Sequence, residues 1–133
     1  MKILRSKTYI LPGPCIPLAR ARFAHGRVFD NQKQLKLIAG IHLKFQHNNE
    51  PLFESHPLKL EATFFVEIPK TRLKHVHDND LHFYKPDLDN FIKFLCDIGN
   101  HVIWVDDSLI SVIIASKKYS RDARTEFTIC ELK

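Results

Sequence analysis

An α+β fold is what this sequence predicts: one small domain over residues 1–133, a mixed β-sheet and two main helices. Strand-like segments outnumber helical ones, and the two helical patterns are separated by sheet. A chain of 133 residues with 44% hydrophobic residues fits one compact core and leaves little room for a second.

Taken in order, Lys7 to Leu11 reads as a short strand, stopped by Pro12-Gly13-Pro14 and Pro17. Arg20 to Phe29 fits an irregular hairpin turning at His25-Gly26. Asp30 is the expected N-cap of a helix reaching Gln46, with Leu37, Ile38, Ile41 and Phe45 forming its apolar face. Leu58 to Ile68 is the clearest strand. Its even positions from Leu58 to Ile68 are apolar, and only Phe65 interrupts the polar set between them. Pro69 ends it, and Lys70 to Tyr84 is a polar, His-rich loop long enough to expect function or disorder.

The second helix begins at Asp87 or Leu88 and stops near Gly99, read as the C′ residue, with Leu88, Phe91, Ile92, Leu95 and Ile98 at helical spacing. Val102 to Val105 is expected as a strand, Asp106-Asp107-Ser108 as a turn, and Leu109 to Lys118 and Thr125 to Leu132 as closing strands.

Bulk composition excludes some classes. No apolar run approaches the roughly 20 residues that span a bilayer, and charge interrupts Met1 to Lys7 before any signal-like stretch forms. Cys15, Cys96 and Cys130 are odd in number and lack metal-ligand spacing, as expected of reduced thiols in a cytoplasmic protein. The net charge of +5 invites a polyanion. Residues 1–50 hold nine Lys or Arg against two acids, whereas five Asp gather between 87 and 107. Carboxylates repel phosphates, so that pairing makes sense when a divalent cation sits between them.

Asp87 and Asp89 are one residue apart at a helix mouth, where Pro86 restricts the entry. At a strand-like entry residues i and i+2 point the same way, so both carboxylates can face one ion. Magnesium takes one or two carboxylates plus water and phosphate oxygens. Asp106-Asp107 end an apolar run and can return beside them, and adjacent strand residues face opposite sides, so one of the pair is expected to enter the site. An EF-hand is excluded, because the sixth and twelfth positions are Ile92 and Ile98 instead of Gly and Glu. Lys93 stands four residues from both Asp89 and Asp97. Spacing alone favours two surface ion pairs there, about 0.3–0.5 kcal/mol each, over a phosphate contact. Taken singly, Asp87 as a cap and Asp106-Asp107 as a turn are the blander readings.

The segment KPDLDNFIKFLCDIGNHVIWVDDSLI resembles the core of the RusA-type Holliday-junction resolvases. That core runs Asp-x-Asp-Asn, Lys three residues on, Asp four later, then an apolar stretch ending in Asp-Asp, matched here by Asp87, Asp89, Asn90, Lys93, Asp97 and Asp106-Asp107. The Pro12-Gly13-Pro14 turn, Arg20-x-Arg22, Gly26 to Asp30 and Arg124-Thr125-Glu126 are similar to the family's flanks. Two positions depart from the pattern: Leu109 replaces a frequent Gln, and the basic run before the first Asp thins to Lys85 followed by Pro86.

The resemblance implies a small homodimeric domain that resolves four-way DNA junctions by paired symmetric nicks with Mg2+, or Mn2+ in its place. It makes Asp87, Asp89 and Asp107 the metal-binding catalytic carboxylates, with Asp106 the lesser member of its pair, and Lys93 the supporting cation. In-line attack by water leaves a 5′-phosphate. Arg20, Arg22, Arg27, Lys85, Lys117 and Lys118 would then hold DNA through phosphates.

A catalytically silent DNA-binding protein of the same fold, or a nuclease for other branched DNA, are the competing readings. His75, His77 and His82 are expected as solvated loop residues and not a zinc site, His101 as a strand-edge residue, and Trp104 as core. Phe83 and Tyr84 are read as packing groups before any role as DNA wedges.

Overall fold

The computed structural model describes residues 1–20 and 22–133, with the backbone alone for Arg22 and Phe29. Four strands form a mixed sheet: β1 (Ile3–Pro12), β4 (Leu58–Glu67), β5 (Ile110–Ser120) and β6 (Arg124–Leu132), in the spatial order β1-β6-β4-β5. β6 is antiparallel to both β1 and β4, and β4 runs parallel to β5. Parallel neighbours need a long crossover, and here it carries a 3-10 turn at Lys70–Arg72, the His-rich loop and α2 (Leu88–Gly99). A separate hairpin, β2 (Arg22–Ala24) with β3 (Arg27–Phe29), turns at His25 and Gly26, whose φ values of 51° and 72° suit the residue types placed there.

Both α2 and α1 (Lys33–His47) cover one face of the sheet. Alternation on β4 sends Leu58, Leu60, Ala62 and Phe64 into that core. Phe65, the break in the polar face, is also buried, because the Arg124 guanidinium lies 3.8 Å from its ring centroid. α2 contributes Phe91, Phe94, Leu95 and Ile98. From α1 come Ala39, Leu43 and His47, whose Nδ1 is 2.7 Å from the Tyr9 hydroxyl. Gln46 brackets Ile10: its amide oxygen accepts from Ile10 N and its amide nitrogen donates to Ile10 O, blunting the β1 edge.

Several expectations are corrected. The face predicted to bury α1 is the exposed one: Leu37, Ile38, Ile41 and Phe45 all face away from the core. Residue identity decides this, since the helix meets the sheet with the small Ala39 and with Leu43 and His47, at i, i+4 and i+8. Asp30 is not the N-cap, a position held by Gln32. Asp30 instead accepts from Gln32 N and from Lys36, while the buried Gln32 side chain ties Ala19 N and Pro17 O. Val102 to Val105 is a turn closed by single bridges of Trp104 to Phe53 and Asn100. Gly99 is the last helical residue and not a left-handed C′; a Cβ there would strike the Trp104 ring. The loop from Lys70 to Tyr84 lies along β5, through Asn79 N to Tyr119 O, Tyr119 N to Asp80 O and His82 N to Lys117 O. His82 is thereby buried, whereas His75 and His77 are exposed.

Candidate active site

The peptide bond preceding Pro86 is cis, and Asp87 follows as the extended N-cap residue of α2. Its main-chain carbonyl accepts from Asn90 N and Phe91 N, but its carboxylate caps nothing. The carboxylate instead accepts from Lys85 Nζ at 2.9 Å. That ammonium, with a smaller contribution from Lys117, holds Asp87 below the usual carboxylate range. Asp89, in the first turn, points to solvent with Oδ2 3.6 Å from Lys93 Nζ. Leu18 N donates to Asn90 O and fastens this turn to the segment after β1. Residues 89, 93 and 97 form the exposed stripe of α2, as four-residue spacing requires. Asp97 leaves that set, since it pairs with Lys36 at 3.3 Å instead of Lys93.

The two acids after the apolar run part company. Asp106 caps a 3-10 turn (Asp107–Leu109), its Oδ2 accepting from Ser108 N at 3.1 Å, and those hydrogen bonds to Ser108 hold its carboxyl below the usual range. Asp107 is half-buried and faces α2, with Oδ2 3.5 Å from Asn100 Nδ2. Burial, reinforced by Asp107 and then Asp97, pushes the Cys96 thiol up to about 11. Asn100 is in turn held by Trp104, whose Nε1 donates to Asn100 Oδ1 at 2.9 Å. Trp104 is fully buried, as the sequence indicates. His101 is no strand residue; it sits in the turn with φ 63°.

Convergence of Asp87, Asp89 and Asp107 on one point is not seen. Among the described residues, no three or more His, Cys, Asp or Glu side chains gather closely enough to hold a metal ion. Neighbouring carboxylates repel, and each turns to a donor of the chain itself: Lys85, Lys93 or Asn100.

The basic residues scatter. Arg20, Arg27 and Lys85 are exposed, and the Arg22 side chain lies outside the described residues. Lys117 and Lys118 leave β5 on opposite faces, one in register with Phe64 and the other with Phe65. Lys117 Nζ donates to Tyr84 O at 2.7 Å and to Pro86 O at 2.8 Å. Its charge therefore braces the approach to Asp87. This bracing escaped sequence reasoning because it depends on β5 folding back beside the approach to α2, and the Trp104-Asn100-Asp107 relay escaped it because it depends on the turn taken after Gly99. Phe83 and Tyr84 stack at a centroid distance of 4.6 Å, yet both are exposed, so Phe83 in particular packs against little else. Among the described residues, no helix is long and apolar enough to cross a membrane.

The family described as Endodeoxyribonuclease RusA matches residues 12–130, nearly the whole chain. The uncharacterized protein YqaN of Bacillus subtilis (strain 168) is 44% identical over 48 residues, 36% of this chain and 34% of that protein. The aligned part thus spans about a third of that relative's length. With the acidic segment on α2 and the paired acids before β5 both inside the matched region, the chain belongs to the RusA endodeoxyribonuclease family.

Proposed function

We propose that this protein cuts four-way DNA junctions by paired nicks, using Asp87 and Asp89 with Mg2+ or Mn2+. One observation carries the reading most directly. In a chain of an endodeoxyribonuclease family, both acids at the mouth of α2 are exposed and neither is spent on capping the helix. Their donors are all carboxylate oxygens, the chemistry that hard divalent cations prefer, and two such groups with water and phosphate oxygens complete a magnesium site. Asp107 reaches the same site only by leaving Asn100, so it is the conditional third ligand. A bound divalent ion supplies phosphate polarisation and a more acidic water.

The remaining roles belong to this chain's own groups. Lys93, whose ammonium stands 3.6 Å from Asp89, offsets charge gathering on the scissile phosphate. Lys85 screens Asp87 until DNA arrives and then has a phosphate as its alternative partner. Arg20 and Arg27, exposed on the N-terminal half, hold the DNA arms through phosphates, with Arg22 and Lys118 as further contacts. Water attack in line with the 3′-oxygen leaves a 5′-phosphate and a 3′-hydroxyl. A homodimer supplies two such sites for the two strands of a two-fold junction.

The test compares a mobile four-way junction, a 5′ flap and plain duplex at equal salt, with Mg2+, Mn2+ or a chelator. Paired nicks confined to the junction and lost with chelator are expected. Binding without cutting under either metal would establish a silent DNA-binding protein, and preferential flap cleavage would reassign the substrate.

A further inference from the structure

Phe83 and Tyr84 are exposed groups that neither phosphate contact nor metal ligation uses. Phe83 is 76% exposed and Tyr84 50%. Lone exposed apolar residues need no account, but these two rings are held in place. The Tyr84 main-chain carbonyl accepts from Lys117 Nζ at 2.7 Å. The Arg72 guanidinium lies 5.2 Å from the Tyr84 ring centroid, and the buried His82 ring stands edge-on to it at 6.2 Å. Phe83 lies on Tyr84 with centroids 4.6 Å apart and ring planes inclined by 26°. Among the described residues no further ring or cation stacks on Phe83, so one of its faces is open to solvent. Tyr84 is thus an anchored base for a second ring whose outer side is free.

What such a face accepts follows from its chemistry and its surroundings. A phenyl ring has no donor for phosphate, whereas every nucleobase has a π-face. Lys70, Lys74 and Lys85 are exposed along the same loop, giving the mixture of cations and aromatic rings that suits unpaired nucleic acid. The loop's acids are engaged within it or with its neighbour, Asp78 accepting from Arg121 N and Asp80 from His77 N. Two rings are too little surface for a protein partner, which covers about 800 Å2 on each side. Phe83 stands four residues before Asp87, at most about 14 Å of chain. Neighbouring bases of one strand lie about 3.4 Å apart, so a base on Phe83 is within a few nucleotides of a phosphate held at Asp87.

We propose that Phe83 stacks on an uncovered nucleobase at the branch point, and thereby favours branched DNA over plain duplex. Duplex offers no such base without unstacking one, a cost that is least where pairing is already broken. In an open junction the last pair of each arm has one bare face at the centre. The inference rests on the junction reading given above and names the group that recognises the branch.

Binding of the full chain to a four-way junction and to a duplex of the same arm sequence, in chelator so that neither is cut, tests it with Phe83→Leu and Phe83→Trp. Leucine keeps an apolar side chain but has no π-face, and tryptophan restores one. Stacking one base on one ring changes affinity by a factor of roughly 5 to 150, so Phe83→Leu should lose at least about 5-fold of the junction-over-duplex preference. Its duplex affinity, salt dependence and circular dichroism should match wild type, and Phe83→Trp should keep the wild-type preference. Photo-cross-linking of wild type to junctions carrying 5-iodouracil at single positions beside the branch reads the contact directly, and the expected link is to Phe83. A wild type that prefers and cuts junctions, with Phe83→Leu equal to it in preference, overturns the stacking role alone. Preference lost in both variants without any link to Phe83 makes the ring a packing group and overturns it too. A wild type with no preference for junctions overturns the junction reading as well.

Discussion

Replacing Gly99 with alanine probes the connection between core packing and the acidic site. An added Cβ would stand 2.8 Å from Trp104 Cε2 and closer still to Cζ2 and Cη2, where ordinary contacts begin near 3.4 Å. The indole is fully buried and its Nε1 is held by Asn100, so it has little freedom to yield. Overpacking of this kind costs about 1–3 kcal/mol, and a lost indole hydrogen bond adds about 1 kcal/mol. Better helix propensity returns about 1 kcal/mol. The net expectation is a loss of about 1–3 kcal/mol, a fall in Tm of roughly 3–12 °C for a chain of this size. Urea unfolding measures it as a lower midpoint at unchanged slope. The double variant Gly99→Ala with Trp104→Phe should cost less than the two single changes added together, because phenylalanine lacks the clashing atoms. A Gly99→Ala protein as stable as wild type, or more stable, would refute the packing argument.

Two other perturbations test how the site is braced. Lys117→Met removes both donors that hold the Tyr84 and Pro86 carbonyls; cleavage at saturating DNA should slow by on the order of 10- to 100-fold while junction affinity changes little. Affinity falling instead, with a smaller salt dependence and an unchanged cleavage rate, would return Lys117 to direct phosphate contact. Burial, then Lys117 and Arg72, lowers the His82 pKa from its ordinary value. The folded state therefore resists protonation that the unfolded chain accepts, so stability is full above about pH 6.5 and falls as pH drops towards the depressed folded value. The urea midpoint of wild type should decline through that window, and that of His82→Phe should decline less; equal slopes would remove His82 from the account.

Much of the fold was legible because local signals and tertiary demands agree. β4 alternates and is buried as it alternates, and α2 starts directly after Asp87 and carries an unbroken apolar face. α1 misled for a physical reason. Its most apolar face is not its core face, and periodicity reports only that a helix has an apolar side. The Val102 to Val105 segment reads as a strand by composition, yet Gly99 and Trp104 pack so closely that the chain turns there. At the site, the residue types are read directly from the sequence, and the structure separates Asp106, which caps a turn, from Asp107, which contacts Asn100. The Lys117 contacts were not legible, because they join residues far apart in sequence, and the Asn100 contacts were not, because they need the turn that stands where a strand is expected.

The central claim is that the exposed acids at the mouth of α2 perform the cutting. Its most direct test is cleavage of a labelled four-way junction by wild type and by Asp89→Asn in Mg2+, with junction affinity measured on the same preparations. Wild type should nick opposing strands, whereas Asp89→Asn should bind the junction with undiminished affinity and leave it uncut. Magnesium-dependent nicking that survives in Asp89→Asn at the wild-type rate would contradict it.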